Sequence, residues 1–114
     1  MMMQRDWTSR LDYRATPLPG GIAFTAGQRS ALLLWDRRLT RQGFQLVFVH
    51  DDDDCEEVAE IRFAGDDAVL TSIMRKPSGH IVATGYNVGR IATFDHLPQA
   101  IVWSELTLGL TSLG

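Results

Sequence analysis

Between Thr25 and Gly43 the sequence TAGQRSALLLWDRRLTRQG carries a start, an apolar stripe and a stop for one helix, and no other segment constrains the fold as much. Thr25 can cap the first turn with its hydroxyl, and Gln28 stands three residues on, where its side chain can return the favour to the cap backbone. Ala31, Leu32, Trp35 and Leu39 then line one side of a helix, while Arg29, Asp36, Arg37 and Arg41 lie largely off it. Gly43 stands where a left-handed closing residue belongs, and Arg41 suits the negative end of the helix. The spacing predicts a helix over 26–42.

The rest of the chain reads as strands. Leu11, Tyr13 and Ala15 alternate with Asp12, Arg14 and Thr16, and Pro17-Leu18-Pro19-Gly20-Gly21 forces a turn into a short strand over Ile22 to Phe24. After the helix come Phe44–His50, a run around Ala59–Phe63, Ala68–Arg75, His80–Gly85 and Val88–Asp95. Turns at Gly65-Asp66-Asp67, Pro77-Ser78-Gly79 and Tyr86-Asn87 separate them. Short runs joined by tight turns predict an antiparallel meander. The expected fold is α+β: a meander of five to seven strands with the helix on one face, in a single domain over 1–114.

A rival all-β reading rests on GGIAFTAGQRSALLLWD (20–36) and SGHIVATGYNVGRIATFD (78–95), which loosely parallel each other. Each resembles the hairpin of a WD-repeat propeller blade, with Trp35-Asp36 as the closing pair. That resemblance implies strand over 30–36 and a propeller-like or barrel architecture. The Gly-His pair expected before each hairpin is missing, and 114 residues cannot close a propeller of four or more blades.

The longest uninterrupted apolar run, Ala31 to Trp35, has five residues, against the roughly 20 a spanning helix needs. Arg5 and Asp6 interrupt the stretch where a signal peptide would be apolar. A single cysteine, Cys55, fits a reducing compartment, so the expected location is cytoplasmic, with no membrane partner. Net charge is −3, but residues 1–49 hold seven arginines against three acids, whereas residues 50–114 hold four bases against eleven acids. Such polarity suits solvated faces or complementary surfaces in self-assembly. With a pI near 5.5, and Arg37, Arg38 and Arg41 making only a small patch, nucleic acid is not an expected partner.

Chemical signatures are sparse. The run His50-Asp51-Asp52-Asp53-Asp54-Cys55-Glu56-Glu57 offers oxygen ligands, but Glu56 occupies the sixth position from Asp51, where a calcium loop needs Gly. A solvated acidic loop accounts for it more simply, and no metal or cofactor is expected. Asp54 and Glu56 disfavour a Cys55 thiolate. His50, His80 and His96 form no close ligand pair; Asp95 and His96 are adjacent but would point to opposite faces of a strand. No G-x-S-x-G elbow is present. The best ligand candidate is Thr25, Gly27, Gln28 and Arg29, where a helix N-terminus, a small residue and a guanidinium could receive a small anion. Against it stands the ability of Thr25 and Gln28 to satisfy those donors themselves.

Ala100, Val102, Leu106 and Leu108 fall on one face of an extended segment, with Ile101 and Trp103 on the other. A strand apolar on both faces is either central or covered by a second chain. Ile101, Trp103, Leu106 and Leu108 are therefore the candidate interface, and a homodimer the favoured assembly. The balance favours a non-catalytic binding or assembly module. The alternative is an anion-binding protein or small enzyme with a pocket between helix and sheet, near Arg29, His80 or His96.

Overall fold

The structure, a computed structural model, describes residues 21–51 and 56–110. The expected helix forms as α1 (Ala26–Arg41). Thr25 Oγ1 accepts the Gln28 N–H at 3.1 Å, and Gln28 Oε1 accepts the Thr25 N–H at 2.9 Å. Two of the helix's otherwise unpaired first-turn donors are thereby satisfied. Leu32, Trp35 and Leu39 are buried, and Gly43 leaves the helix with φ +88°. The propeller-like reading fails here, because 30–36 is helical: the caps and the 3.6-residue stripe outweigh the β-like run Leu32–Trp35.

Five strands follow: β1 (Phe44–Asp51), β2 (Glu56–Phe63), β3 (Val69–Arg75), β4 (Ile81–Gly85) and β5 (Arg90–Phe94). They form one open antiparallel sheet in the order β1-β2-β3-β4-β5. The turns use the expected chemistry. Gly65 and Gly79 adopt φ +82° and +92°, and Asp66 Oδ1 accepts the Ala68 N–H at 3.1 Å. A register shift at Ile61/Arg62 adds one bulge. Ile22 makes only a single antiparallel bridge to Arg75, not a strand over 22–24. The strand expected over 11–16 lies outside the described residues.

The largest correction concerns the C-terminal segment. Residues 100–110 are not a strand; they belong to α2 (Leu97–Thr107) and its cap. Pro98 stands in the first turn, and Gln99 Oε1 accepts the His96 N–H at 3.2 Å. At the far end Gly109 has φ +77°, its N–H donates to Leu106 O, and Leu110 N–H donates to Glu105 O. That pair of bonds is a Schellman closure. The β-branched Ile101 and Val102 favour a strand by propensity, but both ends of the segment are capped for a helix.

Both helices lie on the same face of the sheet. α1 packs on β1, and α2 on β3, β4 and β5. The main core joins Leu32, Trp35 and Leu39 of α1 and Leu97 and Ala100 of α2 to Leu46, Ile61, Ile73 and Ile81 of the sheet. On the opposite face Val58, Met74 and Val82 are cross-strand neighbours and form a second, smaller cluster. The architecture is α+β, with a two-helix layer on a five-stranded sheet. Among the described residues no helix is long and apolar enough to cross a membrane.

Candidate functional site

The facing flanks of the two helices enclose an open groove of about 510 Å³. On α1 the flank runs through Ala31, Leu34, Trp35 and Arg38, which recur at helical spacing. On α2 it runs through Pro98, Ile101, Val102 and Glu105. Leu34 is 59% exposed and Val102 46%, so each wall presents an aliphatic side chain to solvent. Arg38 and Arg41 stand on the rim.

The groove has a polar floor. Trp35 Nε1–H donates to Glu105 Oε2 at 3.0 Å, and Arg38 Nη2 donates to the same oxygen at 2.9 Å. A buried carboxylate without donors would be costly; here a guanidinium and an indole offset the loss of water. Both bonds land on Oε2, and Oε1 accepts none from the described residues. The site thus offers aliphatic walls, positive charge at the rim and one spare acceptor at its base. Such a mixture suits recognition of a polypeptide segment or small organic molecule.

The structure gives the candidate anion site an internal occupant. Glu57 of β2 reaches across to the start of α1, where its Oε1 accepts the Phe24 N–H at 3.0 Å and its Oε2 forms an ion pair with Arg29. Arg29 also stacks over the Phe48 ring, 4.3 Å from its centroid. Thr25 and Gln28 cap one another, and Gly27 has open space around its Cα. The four residues are brought together, but the chain's own carboxylate sits beside them. No motif marked this, since Glu57 lies 33 residues from Phe24.

The histidines do not converge. His80 lies opposite Asp95 across the β4–β5 hairpin, with Nε2 3.4 Å from Asp95 Oδ1 and Nδ1 2.8 Å from Ser78 Oγ. This Ser–His–Asp set is half to three-quarters exposed, and neither the interhelical groove nor the cavity beside β5 is lined by it. It reads as a surface turn with an exposed polar contact; nucleophilic catalysis would need oxyanion donors and exclusion of water. His96 precedes α2, and His50 stands in register with Glu57. Of the acidic run, residues 52–55 with Cys55 lie outside the described residues. Among the described residues no group of His, Cys, Asp or Glu is placed to hold a metal ion.

The four candidate interface residues are dispersed, because they lie on a helix instead of a strand. Ile101 enters the groove; Leu108 packs against the core; Trp103 packs against Phe94 with ring centroids 6.1 Å apart; Leu106 is exposed. A cavity lined by Trp103 and Leu106 with Val88, Arg90 and Thr107 opens beside β5. Comparison with protein-family models, curated proteins and solved structures finds no match, so the site is read on its own geometry.

Proposed function

We propose that this chain is a non-catalytic binding and assembly module whose interhelical groove captures an apolar segment of a partner protein flanked by acidic residues. The observation that carries the reading is the groove itself, with exposed Leu34 and Val102 on its walls and Arg38 and Arg41 on its rim. An apolar concave surface rimmed by polar residues is the kind of patch that serves as an interaction site. The rim arginines complement acidic flanks, and α1 carries Arg37 beside them. An amphipathic helix could lay its apolar face between the walls, with a backbone or side-chain donor reaching Glu105 Oε1. The exposure of the Ser78–His80–Asp95 set supports a binding role over a catalytic one.

Selection from a displayed random-peptide library tests the proposal. Enriched peptides should pair apolar residues at helical spacing with Asp or Glu, and should lose at least tenfold in affinity for the Leu34→Asp/Val102→Asp double variant. Peptides that bind this variant as tightly as the parent chain would overturn it.

A further inference from the structure

The two edges of the sheet are treated differently. Ala64 N–H donates to Gly43 O, so the antiparallel alternation turns the backbone groups of Phe44, Leu46 and Phe48 away from β2. That edge is managed: Asp36 of α1 accepts the Leu46 N–H at 3.0 Å, and Arg29 covers Phe48. At the other edge, Lys76 N–H donates to His80 O and fixes the alternation on β4. It leaves Arg90, Ala92 and Phe94 bonded inward and turns the N–H and C=O of Ile91 and Thr93 outward. Among the described residues no side chain caps these groups. The strand carries no Pro or Lys, and Ile91 is 58% exposed. Beside it stand Val88 and Leu106, exposed by 45% and 64%. An uncapped edge next to an apolar flank is the pattern that soluble chains avoid unless it is used.

We propose that the β5 edge is a self-association surface, on which a second copy of this chain adds its own β5 antiparallel across a two-fold axis at Ala92. This deepens the assembly half of the reading above and does not depend on what enters the groove. The choice of a second copy follows from self-complementarity. With Ala92 opposite its own symmetry mate, Ile91 stands opposite the mate's Thr93, and their outward groups form two reciprocal pairs of hydrogen bonds. Arg90 then stands opposite the mate's Phe94, on the same face of the joined sheet. Cation meets ring, and no like charges are opposed. A five-residue edge alone is small for a stable dimer. The same axis sets the Val88 and Leu106 flank of each copy, which lies beside Arg90, toward the Phe94 end of the mate's strand, which adds apolar area. The product is a continuous ten-stranded sheet with four helices on one face.

Light scattering coupled to size exclusion on the full chain tests this. The parent should run at twice the monomer mass at tens of micromolar. Thr93→Pro removes an outward N–H and no bond to β4, so it should run as a monomer with an unchanged circular dichroism spectrum. Ile91→Lys, which leaves every backbone group in place, should weaken dimerisation at least tenfold even if the proline variant fails to fold. A parent that stays monomeric at about 100 µM, or a dimer unaffected by Ile91→Lys, would overturn the proposal. The two readings fail separately: Leu34→Asp/Val102→Asp should remain dimeric, and monomeric Ile91→Lys should keep the groove's peptide affinity.

Discussion

Trp35 and Glu105, 70 residues apart in sequence, share a hydrogen bond of 3.0 Å that ties α1 to α2. Trp35 is 1% exposed and Glu105 7%, so neither end of the bond is released to water without a cost. Glu105→Ala strands the indole donor and removes the partner of Arg38. It should lower stability by about 2–4 kcal/mol, as for other broken buried charge-assisted bonds. Glu105→Gln keeps an acceptor of the same shape and should cost about half as much. Arg38→Ala should cost under about 1 kcal/mol, because the Arg38 side chain is half exposed. Urea midpoints for the three variants give the order directly, and equal losses would mean that the charge, not the indole bond, dominates.

Which side of α1 faces the sheet is decided at two adjacent leucines. Leu32 is fully buried against the core, whereas Leu33 is 52% exposed. Leu32→Ala should cost about 2–5 kcal/mol, and Leu33→Ala about 0.5 kcal/mol or less. Chemical denaturation with an unchanged m-value checks both, and comparable losses would place the helix in a different rotation.

The sequence carried different parts of this structure with different clarity. α1 was legible because its evidence is local: Thr25 and Gln28 cap it, Gly43 ends it, and its stripe has one period. The β4–β5 register was legible only in part. A turn at Tyr86-Asn87 would close Gly85 on Val88, whereas the turn takes up residues 86–89 and Gly85 pairs with Arg90, which is what sets His80 opposite Asp95. α2 was misread because Ala100 to Trp103 is apolar without a period, and its β-branched residues tipped the choice. The signals were there in Pro98, Gln99 and the Gly109-Leu110 closure, but they sit at the ends of the segment and had to outweigh its middle. The groove was illegible for a further reason. It needs both helices and a contact spanning most of the chain, and one Glu inside an apolar run was the only trace of it.

Beneath α2 the hydroxyl of Ser104 is fully buried and has no hydrogen-bond partner among the described residues. An unpaired buried hydroxyl costs about 1–3 kcal/mol relative to water. Ser104→Ala removes it, raises helix propensity and leaves only a small void. The variant should gain about 1 kcal/mol and melt a few degrees higher in a thermal scan. A loss of stability would mean that the hydroxyl has a partner after all.

Glu57 stands where the start of α1 would otherwise receive an external anion. Its carboxylate takes the Phe24 N–H and the Arg29 guanidinium while only 3% exposed. Phosphate or sulfate should therefore not raise the melting temperature of the parent chain beyond the general effect of salt. Glu57→Ala leaves an amide and a cation without their acceptor. Because Arg29 is 42% exposed, water softens the loss to about 1–3 kcal/mol. The vacated position then has the donors of an anion site, a backbone N–H and a guanidinium beside a helix N-terminus. Millimolar phosphate or acetate should restore part of the lost stability in Glu57→Ala, with chloride at matched ionic strength doing less. A thermal-shift series of parent and variant in phosphate, acetate and chloride decides it: selective rescue shows that the side chain acts as a built-in anion, whereas equal response of parent and variant would mean that Glu57 holds the helix by packing alone.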